Sequence, residues 1–348
     1  MKKRICSVVS LLLLLSAFAG CGSSSFPSEM TADEPTAGED TIVVGFSQLG
    51  AESDWRSAHT ESMLSAFTEE NGYTLLYQNG QQKQANQITA IRTFIQQGVD
   101  YIVLAPATEA GWDSVLEEAR EAGIPVILVD RRVDVTDKSL YACWVGSDFE
   151  LEAKKATAWL RAYASKNGYR GSRLHVVNIQ GTIGSTAQIG RTRGLANAAR
   201  SWQWDLLGEM SGDFTQTKGR EVMNAFLRRF SDTINVVYCE NDNEAIGAIE
   251  AIESAGFRAG SDLSRGDILV LSFDGVNEAA VSFAREGKIA CIAECNPQHG
   301  ERVRALIEML ERGETPEKFN YVDERLFSAL PGVEAVTVDG VCYEVEKP

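Results

Sequence analysis

Ile124-Pro125-Val126-Ile127-Leu128-Val129-Asp130-Arg131 is a short apolar run that ends abruptly in a carboxylate and a guanidinium. It follows a segment with helical spacing (112–122) and a glycine, so it is typical of a strand that is buried on both faces. Ligands of open α/β sheets bind beyond the carboxyl ends of the strands. Asp and Arg together offer acceptors and a rigid fork of donors there. The run therefore indicates a site for a ligand rich in hydroxyl groups, and a surface ion pair that merely caps the strand is the alternative.

Strand-like and helix-like segments alternate through the rest of the chain. Before this run, strand-like residues at 41–46, 74–77 and 101–105 are separated by segments with helical spacing. After it the pattern restarts with a helix-like segment at 151–166 and continues to a strand-like segment at 268–273. Short connections between alternating strands and helices predict parallel sheets with right-handed crossovers.

The length of the chain predicts two lobes. Residues 41–348 amount to about 308, which exceeds the size at which a single core usually divides. A helix-like segment at 296–312 could return the chain to the first lobe, and repeated crossing would form a hinge. We expect an α/β fold with two doubly wound, parallel-sheet lobes, the first comprising 41–144 plus about 296–323 and the second comprising 145–295 plus about 324–348.

The amino terminus has the features of an export leader. A basic segment (2–4) precedes an apolar run (8–18) that is too short to span a membrane comfortably. The run ends in Phe18-Ala19-Gly20-Cys21, which resembles a bacterial lipobox with lipid attached to Cys21. We predict a signal peptide at 1–20 and a flexible, lipidated tether at 21–40, because this polar and acidic segment cannot bury enough apolar surface. An ordinary secretory signal with an incidental Cys21 is the alternative, and both export the chain.

The charge excludes some classes of partner. The formal net charge is -16, and removal of the leader takes away Lys2, Lys3 and Arg4 and no acid, which changes it to -19. So acidic a surface argues against nucleic acid and anionic lipid headgroups as partners.

The cysteines beyond Cys21 form an odd set of Cys143, Cys239, Cys291, Cys295 and Cys342. Most lie in apolar, strand-like surroundings, where a thiol behaves as a small hydrophobe. Cys291 and Cys295 could pair or bind a metal ion, but no His, Cys or acidic partners recur at zinc spacing. We therefore expect buried free thiols, no metal site and no cofactor.

Polar residues gather directly after the strand-like segments. Asp, Asn and Gly are common in turns and at helix N-caps, so each cluster has a structural interpretation. Their recurrence at equivalent strand ends favours a shared site. The clusters are 47–56, 79–84, 130–131, 180–191, 212–214, 240–242 and 274–275.

These clusters, in this order, resemble the periplasmic sugar-binding proteins of ABC importers, of the ribose and galactose type, and look most similar to the galactofuranose-binding branch. The motifs that carry the resemblance are Val44-Gly-Phe-Ser-Gln48, Glu52-Ser-Asp-Trp-Arg56, Asp130-Arg131, Gln180-Gly181 to Arg191, Ser211-Gly-Asp-Phe214, Asn241-Asp242 and Phe273-Asp274-Gly275. The likeness covers 41 to about 327 and implies the type I periplasmic binding protein fold. The turn Asn79-Gly80 departs from the usual Asp-Ala of the family, so we leave it out of the site.

The resemblance implies a sugar site built from both lobes. Trp55 takes the place of an aromatic residue that stacks on a sugar face, and Arg56 stands where ribose binders have a second aromatic residue. Glu294 stands where ribose binders have an amide. Trp55 could instead be a core residue at a helix start, and Phe214 could be a loop anchor. The expected ligand-binding residues are Ser53, Trp55, Arg56, Asp130, Arg131, Arg191, Phe214, Asn241, Asp274 and Glu294.

Motifs of enzymes are missing from the sequence. No P-loop, dinucleotide-binding glycine motif, His-Glu-x-x-His or nucleophile elbow occurs, and the three histidines are isolated. We expect an extracytoplasmic, monomeric lipoprotein that binds a monosaccharide, such as galactofuranose or a similar furanose or pentose, and delivers it to the transmembrane subunits of an ABC permease. The first alternative is a sensing module that signals to a membrane sensor kinase. A cytoplasmic repressor and a sugar-processing enzyme are further alternatives.

Overall fold

The computed structural model describes residues 41–167, 169 and 173–348. The described residues belong to one compact unit. The predicted signal peptide, the lipidation site at Cys21 and the tether lie outside the described residues.

The secondary structure alternates between strands and helices for most of the chain. In chain order, the strands are β1 (Ile42–Gln48), β2 (Tyr73–Asn79), β3 (Tyr101–Leu104), β4 (Val126–Val129), β5 (Cys143–Gly146), β6 (His175–Gln180), β7 (Asp205–Ser211), β8 (Val236–Cys239), β9 (Leu269–Asp274), β10 (Ile289–Glu294), β11 (Phe319–Tyr321), β12 (Leu326–Phe327), β13 (Ala335–Val338) and β14 (Val341–Glu346). The helices are α1 (Asp54–Ala66), α2 (Gln84–Gln97), α3 (Asp113–Glu121), α4 (Phe149–Lys166), α5 (Thr186–Trp202), α6 (Gln216–Phe230), α7 (Asp242–Ser254), α8 (Glu278–Arg285) and α9 (Gly300–Glu311).

The strands form two sheets, which confirms the predicted α/β fold with two lobes. The first sheet has the order β11-β5-β4-β3-β1-β2, and all of its pairings are parallel. The second has the order β13-β14-β12-β10-β9-β8-β6-β7. Its strands β6 to β10 pair in parallel, whereas β12 pairs with β10 and β13 pairs with β14 in the antiparallel sense.

The apolar run quoted first forms β4 at the centre of the first sheet and is covered on both faces. Val126 and Leu128 pack into the cluster that contains residues of α2 and α3. Ile127 and Val129 pack into the opposite cluster, which contains residues of α1 and α9. Successive side chains of a strand point to opposite faces, so an unbroken apolar run requires helices on both sides.

Close packing of α6 against α7 in the second lobe depends on two glycines. A Cβ atom on Gly247 would lie 2.2 Å from the backbone oxygen of Gln216, and one on Gly219 would lie 2.7 Å from Cα of Glu244. Both contacts are with backbone atoms, which cannot move away without shifting a helix. The helix α7 that is packed in this way begins at Asp242, directly beyond the carboxyl end of β8 in the interior of the second sheet.

The described chain passes between the two sheets three times. The connections are 147–148 between β5 and α4, 295–299 between β10 and α9, and 322–325 between β11 and β12. The assignment of residues to lobes at 144/145, 295/296 and 323/324 stays a prediction, and β5 itself extends to Gly146. Within the described residues, no helix combines the length and the apolar character that a membrane span requires.

Candidate functional site

A cavity lies where strand ends and helix starts of the two lobes meet. Nine of the ten predicted site residues line it, and Glu294 does not. The lining residues are Glu52, Ser53, Trp55, Arg56, Asp130, Arg131, Phe149, Ala187, Arg191, Phe214, Asn241, Asp274 and Cys295. The structure therefore brings together groups that are more than 200 positions apart in the sequence.

Asp130 is held at the end of β4 by its backbone. Its φ angle is 62°, in the left-handed region that Asp tolerates better than most residues. Its amide donates to the carbonyl of Val145 at 2.8 Å, and its carbonyl accepts from Nε1 of Trp144 at 3.1 Å. These bonds fix the turn, so the carboxylate lines the cavity although the chain changes direction there.

Two arginines and two carboxylates form a buried ionic cluster in the first lobe. Arg56 lies 2.7 Å from Oδ2 of Asp130 and donates from Nε to Oε1 of Glu52 at 3.1 Å. Arg131 donates from Nη1 to the carbonyl of Ala107 at 2.8 Å. Burial, together with the nearby charge of Arg56, lowers the pKa of Arg131 to about 10, so the side chain is still cationic at neutral pH.

Three buried polar atoms of this cluster have no hydrogen-bond partner. They are Oε2 of Glu52, Oδ2 of Asp130 and Nε of Arg131. The contact between Asp130 and Arg56 is an ion pair by distance, but its geometry is not that of a hydrogen bond. Because buried polar groups are normally paired, these atoms are available to hydrogen-bond a ligand in the cavity.

Trp55 is fixed by contacts from both lobes. Its ring stacks on His59 with a centroid distance of 5.1 Å and an interplanar angle of 12°. Its Nε1 donates to the carbonyl of Cys295 at 2.7 Å, and the guanidinium of Arg56 lies 4.8 Å from its ring centroid. Ser53 caps α1 by accepting from the amide of Arg56 at 3.2 Å. Ser53 and Trp55 thus have structural roles and also line the cavity.

Arg191 on α5 is the main cationic group of the second lobe. It donates from Nε to Oε2 of Glu152 at 2.8 Å, from Nη2 to Oδ1 of Asp274 at 3.3 Å, and from Nη1 to the carbonyl of Glu240. Burial raises the pKa of Asp274 well above its usual value, although Arg191 opposes this shift. The guanidinium is only 2% exposed, so its orientation is set by these partners.

Phe214 and Asn241, which both line the cavity, are also joined to each other. Phe214 has a φ angle of 61°, and its amide donates to Oε1 of Glu244 at 2.9 Å. Asn241 caps α7 by accepting from the amide of Glu244 at 2.8 Å, and its Nδ2 donates to the carbonyl of Phe214 at 3.1 Å. The guanidinium of Arg131 lies 5.4 Å from the Phe214 ring centroid, which is a contact between the lobes.

Glu294 requires a correction to the predicted site. Its carboxylate accepts from the amide, Nε and Nη2 of Arg325 at 2.8, 3.0 and 2.8 Å. Side chains alternate in direction along a strand, and Cys295, the next residue, lines the cavity instead. We therefore remove Glu294 from the candidate site.

Four lining residues were missed by the sequence interpretation. Glu52 belongs to a motif that was recognised, so its position beside Ser53 was a usable signal. Phe149 and Ala187 lie at the starts of α4 and α5, where an apolar residue is indistinguishable from core. Cys295 was interpreted as a buried thiol, and it is buried as well as lining the cavity.

One cluster among the described residues has donor atoms close enough to hold a metal ion. Glu152, Cys295 and Glu324 each place one such atom within 4.8 Å of the others. Two of these residues already accept hydrogen bonds: Glu152 from Arg191, and Glu324 from Ser147 and from the amide of Asn296. These bonds give the cluster a structural explanation, and we assign no metal to it.

The two lobes also touch at the rims of the cavity. On one rim, Oδ2 of Asp54 accepts from Nδ2 of Asn243 at 2.9 Å and from Nδ2 of Asn277. On the other, the amide of Arg132 donates to Oγ1 of Thr186 at 2.8 Å. The arrangement is therefore a closed one, in which both lobes surround the cavity.

Comparison with known proteins agrees with this architecture. The chain matches the periplasmic binding protein domain family over residues 44–322 and belongs to that family. This confirms the predicted resemblance, and the family places the chain outside the cytoplasm. Solute-binding proteins of transporters, the class to which the relatives belong, are generally not enzymes.

Three relatives are similar over most of their length. The galactofuranose-binding protein YtfQ of Escherichia coli (strain K12) is 40% identical over 290 residues, which cover 82% of this chain and 87% of that protein. A Mycobacterium smegmatis protein solved in complex with β-D-fucofuranose has a TM-score of 0.77 and 37% identity, covering 83% of this chain and 92% of its own. The binding protein of the arabinose ABC transporter from Shewanella sp. ANA-3, bound to α- and β-L-arabinofuranose, has a TM-score of 0.76 and 35% identity, covering 82% and 92%.

Proposed function

We propose that this protein captures a monosaccharide in its furanose form, galactofuranose or a similar sugar, and delivers it to an ABC permease. The observation that carries the proposal is the cavity between the lobes, which is lined by ionic groups and aromatic rings from both of them. The furanose ligands of the relatives support the choice of sugar.

The chemistry of the cavity wall suits a sugar. An aromatic ring covers the apolar C–H face of a sugar, and both Trp55 and Phe214 line the cavity. Hydroxyl groups that leave water need paired donors and acceptors. Oε2 of Glu52 and Nε of Arg131 have no hydrogen-bond partner, and Oδ2 of Asp130 is ion-paired with Arg56. These atoms supply two acceptors and one donor, each in a charged group that forms stronger hydrogen bonds than a neutral one.

The rest of the proposal concerns how the protein works at the cell surface. Lipid on Cys21 would anchor the chain to the membrane, and the segment at 21–40 would act as a tether. The protein would act as a monomer, without catalysis, and present its closed form to the transmembrane subunits of the permease. The names of curated import binding proteins among the relatives favour import over signalling to a sensor kinase.

A thermal-shift panel tests the sugar class. A ligand that binds only the folded state raises the melting temperature, so we expect D-galactose, D-fucose or L-arabinose, which all contain furanose forms in solution, to raise it.

Asp130→Ala should weaken binding by at least about 1.5 kcal/mol, or roughly tenfold, because it leaves Arg56 and the sugar hydroxyls without their partner.

Asp134→Ala is the matched control, since the side chain of Asp134 is 81% exposed and lies away from the cavity. Calorimetry should give this variant the affinity of the unchanged protein. If no sugar in the panel shifts the melting temperature, the substrate class is wrong. If Asp130→Ala binds as tightly as the control, the site is wrong.

A further inference from the structure

The three connections between the lobes meet at a single carboxylate oxygen. Oε1 of Glu324, in the third connection, accepts a hydrogen bond from Oγ of Ser147 in the first. The same atom accepts from the amide of Asn296 in the second connection at 3.0 Å. Oγ of Ser147 also lies 3.2 Å from Sγ of Cys295, so the first and second connections touch each other directly.

The side chains that bond to Glu324 are buried. Ser147 and Cys295 are 1% and 2% exposed, so water does not compete freely for the bonds. Lys155 of α4 donates from Nζ to the backbone carbonyl of Glu324 at 2.9 Å. The charged and titratable groups that face the carboxylate are Glu152, Lys155 and Cys295, and burial followed by the charge of Glu152 raises the pKa of Glu324 well above its usual value.

The same junction is continuous with the cavity wall. Glu152, whose carboxylate lies within 4.8 Å of that of Glu324, is the partner that orients Nε of Arg191. Cys295 lines the cavity, and its carbonyl accepts the hydrogen bond from Nε1 of Trp55. A shift of the connections would therefore move a carboxylate that positions Arg191 and a carbonyl that positions Trp55.

We propose that Glu324 is a positioning residue that holds the three connections in the closed arrangement and thereby sets the orientation of Arg191 and Trp55 towards the ligand. Rotation of one lobe on the other has to pass through these connections, because they are the chain segments that join the lobes within the described residues. The inference rests on the proposed sugar-binding function. It assigns a role in ligand binding to Glu324, although this residue does not line the cavity.

Three variants separate a positioning role from a merely structural one. Glu324→Ala removes both hydrogen bonds, whereas Glu324→Gln keeps a carbonyl oxygen that can accept them and cannot ionise. Asp323→Ala is the matched control, because Asp323 is the exposed neighbour in the same connection. Binding of D-galactose and L-arabinose is measured by calorimetry and stopped flow, and lobe separation is measured by small-angle X-ray scattering with and without sugar.

We expect Glu324→Ala to weaken binding at least about tenfold, mainly through faster dissociation, and we expect Glu324→Gln to restore affinity to within about threefold of the unchanged protein. The control should match the unchanged protein. A Glu324→Ala variant that has a lower melting temperature but the same affinity and dissociation rate at 25 °C would overturn the proposal.

Failure of the sugar proposal can be recognised separately. If the unchanged protein binds neither sugar, small-angle X-ray scattering of the ligand-free proteins still tests the role of Glu324 in the hinge. Glu324→Ala should then shift the ligand-free distribution of lobe separations relative to the unchanged protein, while Asp323→Ala should not. Identical distributions in all three proteins would overturn the role of Glu324 whatever the ligand is.

Discussion

Glu240 shows how a single carboxylate can link the second lobe to pH. It is fully buried behind Arg191, and it accepts hydrogen bonds from the amide of Gly181 at 2.9 Å and from Oγ1 of Thr192 at 2.6 Å. Burial raises the pKa of Glu240 from 4.5 to about 7, although these donors oppose the shift. Between pH 4.5 and about 7, Glu240 is therefore protonated in the folded state but ionised in the unfolded state.

This residue predicts a pH-dependent stability with a definite sign. Since the folded state binds more protons, the contribution of Glu240 to stability is complete below pH 4.5 and is lost as the pH rises to about 7. The slope is at most about 1.4 kcal/mol per pH unit. The free energy of unfolding is measured with urea at several pH values. The part of its fall between pH 4.5 and about 7 that Glu240 causes should be missing in Glu240→Gln and present in the exposed control Glu221→Gln. Equal slopes in both variants would contradict the assigned pKa.

At the scale of elements, helix N-termini from the two lobes meet at the rim of the cavity. Asp54 is the first residue of α1, Asn243 lies in the first turn of α7, and Asn277 caps α8. A carboxylate is favourable near helix N-termini because the helix dipoles are positive there. The hydrogen bonds from the side-chain amides of Asn243 and Asn277 to Asp54 therefore hold the two lobes together at the rim, and we call this pair of bonds the latch. Asp54 itself does not line the cavity.

Loss of this latch should weaken sugar binding without changing which sugar is preferred. Asp54→Ala removes two hydrogen bonds that form only in the closed arrangement, so we expect a loss of about 1–2 kcal/mol, or roughly 5- to 30-fold in affinity. Calorimetry over the same sugar panel measures both properties. Glu61→Ala, at an exposed position of the same helix, is the control. A changed order of preference among the sugars would mean that Asp54 contacts the ligand instead.

Local patterns predicted most elements correctly, but not all of their ends. β4 was predicted because four consecutive apolar residues need two covered faces, and the structure provides them. The segment with helical spacing between the first two strands forms α1 only as far as Ala66, and a short 3₁₀ turn, 69–71, follows it and closes on Gly72 with a φ angle of 80°. The antiparallel hairpin of β13 and β14 was not predicted, although Asp339-Gly340 between its strands is a strong local signal for such a turn.

The site was predictable where its residues follow strands. Asp130 and Asp274 come at strand ends, where parallel sheets collect their ligands, and a positive φ angle there confirms a sharp turn at both. Glu294 also comes at a strand end, but its partner Arg325 lies 31 residues later, and this pairing has no local signature. Local sequence therefore predicts which strand ends are polar, whereas the direction of each side chain depends on tertiary partners.

At the scale of the whole molecule, the closed arrangement predicts a change in size on binding. A compact chain of about 308 residues has a radius of gyration of about 19 Å. Because ligand and rim contacts favour closure together, sugar should reduce the radius of gyration measured by small-angle X-ray scattering towards this value. A sugar that gives no thermal shift is the control. An unchanged radius with a bound sugar would show that closure precedes binding.

The three passages of the chain between the sheets also determine the order in which the lobes can be completed during folding. The first sheet ends in β11, which pairs with β5 from Phe319 to Trp144, so this lobe lacks an edge strand and the helix α9 until nearly all of the chain is available. Until then β5 presents an open edge that can pair with other strands. Contacts between residues so far apart also slow folding. Both sheets thus lack strands until most of the chain is available, and a nascent or partly translocated chain would contain two incomplete sheets.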